Sequence, residues 1–177
     1  MLKKILSYGV IAGLIAGVAV SVTSITLGDI TPTVGMAIGY TAMLIAFTAV
    51  FVGIKRYRDV ELGGVIRFWP AFGMGVAMSV VASVLYVVAW EALVAATGMD
   101  FAGSYAATLI EQQKAAGVSG DELARFVAGM EQFKAEYANP LYRLAMTFVE
   151  IFPVGVLVSL VSAGLLRNRR FMPARRS

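Results

Sequence analysis

The residue best placed to do chemistry in this sequence is Glu150, because it is an acid inside a long apolar run, residues 144–166. It lies six residues into that run, or roughly 9 Å along a helix that rises 1.5 Å per residue. A charge at the centre of a membrane helix costs at least about 2.5 kcal/mol, so an ionisable residue at such depth is a functional candidate. Three polar residues of the other apolar runs lie at comparable depth: Thr23, Tyr40 and Tyr86. We predict that they form a polar cluster with Glu150, in which Tyr40 or Tyr86 donates a hydrogen bond to the carboxylate.

Glu150 has two interpretations. In the structural one, the acid is protonated or hydrogen-bonded and only fixes how the helices pack. In the functional one, it is the titrating site of a small proton- or cation-coupled carrier. Pro153 is a further reason to consider this position functional, because it removes the helical donor of the Val149 carbonyl and bends the helix beside the acid. The chain has no evident inverted repeat and no second deep acid, which is unusual for a transporter.

The composition excludes most other chemistry. The sequence contains no Cys and no His, which removes disulfides, thiolate nucleophiles, iron–sulfur clusters and the common zinc sites. It also lacks a Walker-type glycine loop and a nucleophile elbow. A net charge of +4 can indicate nucleic acid, but in a membrane protein excess Lys and Arg mostly encode topology. We therefore predict no enzymatic activity, no catalytic residue, no metal, no cofactor and no nucleic-acid partner.

The elements that must position Glu150 are long apolar helices. Hydrophobic residues make up 59% of the chain and charged residues 15%, whereas about a quarter of residues are charged in soluble domains. We predict an all-α membrane protein, a four-transmembrane-helix bundle in which residues 1–177 form a single membrane domain within the lipid bilayer. A tight turn at 29–33 joins the first two spans, and the first span is a retained anchor rather than a signal peptide. The predicted spans are about 5–27, 34–54, 68–94 and 144–166.

Charge placement predicts the orientation of the spans, because Lys and Arg near span ends stay on the cytoplasmic side. Eleven Lys and Arg lie in the N-terminus, the second connection at 55–67 and the basic C-terminal tail at 167–177. Only four lie between the last two spans, where there are also six acids. We predict a bacterial inner (cytoplasmic) membrane protein whose N-terminus and C-terminus are both cytoplasmic. The segment at about 97–141 is then a periplasmic helical insert.

Small residues at four-residue spacing mark a close-packing face on each span. Between membrane helices, close approach of the backbones through small residues supplies much of the contact energy. Because all four spans carry such a face, we favour packing within one bundle, with a homodimer as the alternative. The glycines of these faces are Gly9, Gly13 and Gly17 in the first span, Gly35 and Gly39 in the second, Gly75 in the third and Gly155 in the fourth.

The insert between the third and fourth spans has an amphipathic helical pattern. Ser119 and Glu122 fit a capping box that begins a helix of about five turns. A shorter helix, capped by Asp100, precedes it and is broken at Gly117. The apolar side of the longer helix can cover its own bundle, lie on lipid or bind a partner protein, and its negative charge disfavours anionic lipid. We call this side the stripe; it consists of Leu123, Phe126, Val127, Met130, Phe133 and Tyr137.

Three segments follow one another in a distinctive order. They are GIKRYRDVELGG at 53–64, SVLYVVAWE at 83–91 and, at 130–166, an acidic helix followed by a span that contains EIFPVG. In this order, and from the first span to the last, the chain resembles the bacterial membrane family called domain of unknown function 4199. The resemblance implies a four-span inner-membrane protein of Gram-negative bacteria with no established activity and no assigned site. It therefore carries over no functional residue.

Taken together, these features favour a structural or protein-interaction role in the inner membrane through the periplasmic helices. The alternative is the small carrier that uses Glu150. The two hypotheses predict different effects of mutation. Polar substitutions at Phe126 and Met130 remove a bound partner in the first, and neutralising Glu150 removes flux in the second.

Overall fold

The computed structural model describes residues 1–26 and 32–173, and every regular element within these ranges is a helix. The predicted all-α fold is therefore confirmed. Of the predicted turn at 29–33, residues 29–31 lie outside the described residues and residues 32 and 33 already belong to α2; the end of the basic tail, 174–177, also lies outside them. The helices are α1 (Leu2–Thr26), α2 (Pro32–Glu61), α3 (Phe68–Thr97), α4 (Phe101–Ala115), α5 (Gly120–Tyr137) and α6 (Pro140–Leu166).

Four of these helices, α1, α2, α3 and α6, are long and apolar enough to cross a membrane. The predicted spans lie within them, apart from residue 27, which is not described. α2 differs most from its predicted span, because it continues through a basic segment to Glu61. An established helix adds further turns without needing apolar side chains, so α2 extends about two turns past its apolar run.

α3 lies at the centre of the bundle, between α1 and α6. α2 contacts α1 and α6 and has a smaller contact with α3, whereas the backbones of α1 and α6 do not come close to each other. Phe47, Met78 and Ile151, from α2, α3 and α6, are fully buried where these helices meet. The outward faces are apolar as well: Val18 is 62% exposed and Val149 is 66% exposed. An apolar exterior of this kind suits contact with lipid.

The predicted glycine face of α1 lies against α3 of the same chain. A Cβ added to Gly9 would lie 2.7 Å from the Cβ of Val81, and Gly13 and Gly17 approach α3 side chains at the same distance. Real Cβ atoms do not approach other atoms this closely. The two backbones therefore touch only because these three positions have no side chain.

The α3–α6 contact is built in the same way from glycine and serine. A Cβ on Gly75 would lie 2.7 Å from Ser159 Cβ, and one on Gly155 would lie 2.6 Å from Ser79 Cβ. The hydroxyls of Ser79 and Ser159 are 3.2 Å apart and share a hydrogen bond. Gly39 differs, since no atom of the described chain lies within 4 Å of a Cβ built there. Gly35 lies one turn before it on α2, and the homodimer alternative stays a prediction.

The two ends of the bundle differ in charge. One end, which we call the basic end, comprises the described residues 1–4, 55–67 and 167–173 and holds nine Lys and Arg against two acids. The other, which we call the hairpin end, carries α4 and α5. There, residues 97–141 hold three Lys and Arg against six acids. The side chains that could bind a partner or a charged ligand are concentrated at these two ends.

Candidate functional site

α4 and α5 form a helical hairpin whose connections have clear local causes. Gly98 ends α3 with a φ of 63°, a left-handed conformation that favours glycine. Asp100 then caps α4, as predicted, and accepts a hydrogen bond of 2.9 Å from a backbone N–H of the first turn. Ser119 precedes α5, but its side chain makes no cap hydrogen bond, so the predicted capping box is not formed. Asn139 caps α6 and thereby returns the chain to the membrane.

The base of the hairpin is fastened to α3 through Tyr137. Trp90 Nε1 donates a hydrogen bond of 2.8 Å to Tyr137 Oη, and Tyr137 is buried. The Tyr137 ring lies 5.6 Å from the rings of both Phe101 and Phe133, so aromatic contacts run from α3 through α4 to α5. Burial raises the pKa of the Tyr137 phenol, whereas the hydrogen bond that it accepts from Trp90 acts in the opposite direction.

A second fastening joins α3 to the start of α6. Arg143 donates hydrogen bonds of 2.7 and 2.6 Å to the two carboxylate oxygens of Glu91. A bidentate pair of this kind fixes orientation as well as distance. The Arg143 guanidinium also lies 5.8 Å from the centre of the Tyr137 ring, which links the ion pair to the base of the hairpin. This pair was not among the contacts predicted from the sequence, although opposite charges at the facing ends of the last two spans were a signal for it.

The stripe on α5 is covered unevenly. Tyr137, at the base, is buried, and the stripe residues farther from the bundle are only half-buried. The backbone of α5 comes close to those of α4 and α6 alone among the described helices. Near the far end of the hairpin an open groove of about 500 Å³ is lined by Gln113, Val118, Glu122, Arg125 and Phe126.

Glu150 is exposed on α6, and of its two predicted tyrosine partners Tyr86 is within electrostatic range of it. Tyr86 of α3 is buried, Tyr40 of α2 is 42% exposed, and both Glu150 and Tyr40 are within electrostatic range of Tyr86. Among the described residues, however, no hydrogen bond joins Glu150 to either tyrosine. The structure does not bring Thr23 to this cluster, because its hydroxyl bonds the Ala19 carbonyl at 2.7 Å and α1 lies away from α6.

Comparison with protein families gives a match that covers most of the chain. The family described as "Protein of unknown function (DUF4199)" matches residues 7–168, from α1 to just past the end of α6. The chain belongs to this family. The resemblance predicted from the sequence is thereby confirmed. No curated protein and no solved structure matches the chain.

The basic end of this DUF4199 chain is organised around a buried arginine. Arg58 of α2 is 0% exposed and donates to Asp59 Oδ1 at 2.6 Å. Its other nitrogens donate to backbone carbonyls beyond α6, at 3.0 Å to Phe171 and 2.6 Å to Met172. The Phe171 ring packs edge-on against Phe51, 6.5 Å away. We call residues 167–172, which Arg58 draws back against α2, the C-terminal hook.

Proposed function

We propose that this member of the DUF4199 family is a non-enzymatic interaction protein of the bacterial inner membrane. In this proposal the basic end lies in the cytoplasm and the hairpin end lies in the periplasm. The distal part of the stripe then binds a partner protein outside the cytoplasm. The carrying observation is that α5 comes close to α6 alone among the four spans, and that its distal stripe residues are only half-buried.

The charge of the two ends supports this orientation. Nine Lys and Arg against two acids at the basic end, and three against six in residues 97–141, follow the rule that basic residues are retained in the cytoplasm. Both described termini lie at the basic end because the chain crosses the bundle four times. The exposed ring of Trp69 at the basic end also fits the aromatic belt of a membrane interface.

The rigidity of the base supports binding rather than free motion. Trp90, Tyr137, Glu91 and Arg143 hold α3, α5 and α6 together through a hydrogen bond and a bidentate ion pair. A rigid support reduces the conformational entropy that is lost when the far end of the hairpin binds a partner. The base of the hairpin packs on its own bundle, and in this proposal the half-exposed side chains of the distal stripe, from Leu123 to Met130, contact the partner.

The chemistry of the hairpin indicates the kind of partner. Residues 97–141 carry three more acids than bases, so an anionic lipid surface repels the hairpin. The groove near the far end combines the apolar side chains of Val118 and Phe126 with Glu122 and Arg125 on its sides. A protein that presents an apolar side chain flanked by basic residues matches these features.

A photo-crosslinking amino acid at Val127 is expected to give a discrete adduct with another protein in native membranes. Val127 is half-buried on the stripe, and Gln132, which is exposed and hydrogen-bonded to Glu136, provides a matched position on another side of α5. The same crosslinker at Gln132 should give no such adduct. Adding Phe126→Asp should reduce the Val127 adduct at least about tenfold, because an interface charge without a partner costs affinity steeply.

Two outcomes would contradict the proposal. Equal adducts at Val127 and Gln132 would mean that crosslinking does not depend on the stripe. An adduct made only of this chain would show that a second copy, rather than a different protein, covers the hairpin. Melting of the purified variants in detergent checks that Phe126→Asp leaves the bundle folded.

A second candidate function, a small proton- or cation-coupled carrier, is favoured by one observation. Tyr86 of α3 is buried and lies within electrostatic range of both Glu150 of α6 and Tyr40 of α2. If Glu150 is the titrating site, Glu150→Gln should abolish proton-coupled flux in proteoliposomes, whereas Glu131→Gln on exposed α5 should not. Flux that survives Glu150→Gln, or that never exceeds that of empty vesicles, excludes the carrier.

A further inference from the structure

Both acids of the basic end are already engaged by other residues. Asp59 lies 2.6 Å from Arg58 and 2.6 Å from Lys55. Glu61 lies 3.2 Å from Lys4 Nζ and near the N-terminal ammonium. In the described part of this end, no further acid remains for the arginines at the start of α3 and after α6.

Those arginines lie at the same end of the bundle because α3 and α6 run antiparallel. The contact of Gly75 with Ser159 fixes the register of the two helices, and the same register places Arg67 opposite Arg167 at the basic end. The residues after Arg167 turn back against α2, so their arginines stay at this end as well. We call the group the arginine cluster; it consists of Arg67, Arg167, Arg169 and Arg170, all of them exposed.

The C-terminal hook keeps the cluster in place. Arg58 binds the hook through backbone carbonyls, and therefore leaves the exposed arginine side chains free to bind something else. Phe171 anchors the same segment in an apolar contact with Phe51. Like charges held at one place repel each other. A bound anion reduces this repulsion and is attracted electrostatically by each arginine.

Apolar side chains lie directly beside the cluster on the outer surface of the bundle. The α3–α6 register places Trp69 and Leu165 at the same level of the bundle, and these residues are 75% and 40% exposed. Val161 is exposed one turn further into the membrane. A ligand that fits has a phosphate at the level of the arginines and hydrocarbon chains alongside α6.

We propose that the arginine cluster is a binding site for an anionic phospholipid. Arg67, Arg169 and Arg170 bind the phosphate group, and the acyl chains lie against Leu165 and Val161. Arginine suits this ligand because its planar fork bonds phosphate oxygens in pairs. Free phosphate and nucleic acid share the phosphate but have no acyl chains, so the apolar surface beside the cluster favours lipid over both. This site is independent of any partner of the hairpin.

Native mass spectrometry of the full-length chain in detergent, titrated with phosphatidylglycerol or phosphatidylcholine, tests the proposal. The chain should bind phosphatidylglycerol at least tenfold more tightly. The variant Arg67→Gln/Arg169→Gln/Arg170→Gln should lose that preference, since each basic residue near an anionic surface contributes about fivefold. The matched variant Lys114→Gln/Arg125→Gln/Lys134→Gln, at the hairpin end, should keep it. Should the triple variant fail to fold, Arg169→Gln alone should weaken phosphatidylglycerol binding about fivefold.

Three results would overturn the proposal. One is an unchanged preference for phosphatidylglycerol in both Gln variants of the arginine cluster. Another is full competition by millimolar inorganic phosphate, which would make the site a free-anion site without a role for the apolar surface. The third is tighter binding of a short RNA than of phosphatidylglycerol, which would assign the cluster to nucleic acid.

Discussion

Replacing Arg58 with leucine is expected to lower the free energy of unfolding by about 3–5 kcal/mol, the usual cost of removing one member of a buried charged network. Arg58 is 0% exposed, and its loss leaves Asp59 with Lys55 alone. The hook carbonyls that it bonds lose their donors as well. Unfolding by a denaturing detergent in mixed micelles measures the effect. The released hook should also be cut faster by trypsin after Arg169 and Arg170.

Two variants separate this effect from the loss of a charge. Arg56 is exposed and makes one long contact of 3.4 Å to Tyr8, so Arg56→Leu should change stability by no more than about 0.5 kcal/mol. Arg58→Lys keeps the charge but cannot bond the carbonyls with a rigid fork, and should fall between the two. Equal stability of Arg58→Leu and Arg56→Leu would show that the buried network does not hold the hook.

The spans could be predicted from the sequence because lipid imposes both a length and an apolar surface on them. Each of the four apolar runs is long enough to cross a hydrocarbon core, and the described residues of each lie within a helix of the structure. The helix ends were less predictable. The mostly polar segment 55–61 continues α2, because backbone hydrogen bonds in a helix do not require apolar side chains. The end of such a polar extension cannot be predicted from hydropathy.

The sequence could not predict which helices are neighbours or which face of each helix is turned toward them. Most of the site contacts that were not predicted depend on this information. Counting residues from a span end gives the depth of Thr23 and of Glu150, but not whether α1 and α6 are neighbours. The same limit applies to Gly39, which has glycine spacing but no contact within the described chain. Gly13 has the same spacing and lies tightly against α3.

The charges at the span ends predicted on which side of the membrane each end lies, but not which charged residues pair with each other. Arg58 belongs to a basic stretch that topology alone would explain, yet it is buried and binds the C-terminal hook. Glu91 and Arg143 are 52 residues apart in the sequence and meet only because α3 and α6 are antiparallel. Pairing of this kind depends on which helices are neighbours, so the charges at the span ends could suggest the Glu91–Arg143 pair but could not establish it.

Gly13→Leu is expected to force α1 away from α3 and to destabilise the bundle by about 1–3 kcal/mol, the range for overpacked cores. A Cβ at this position would lie 2.7 Å from Leu85 Cβ and 3.0 Å from the Ala82 carbonyl oxygen. A carbonyl oxygen belongs to the backbone of α3 and cannot rotate away, so the whole helix must shift. Detergent unfolding and loss of a disulfide engineered between α1 and α3 would report the shift.

Gly39→Leu provides the matched control, since it makes the same chemical change on another span with nothing within 4 Å of the new Cβ. Leucine favours helix over glycine by about 1 kcal/mol, so this variant should be as stable as the original chain or slightly more stable. The difference between the two variants isolates the α1–α3 contact from any general effect of adding leucine to a membrane helix. If both variants are equally stable, close backbone approach at Gly13 does not hold the bundle together, and α1 is kept in place by lipid and its side-chain contacts with α2.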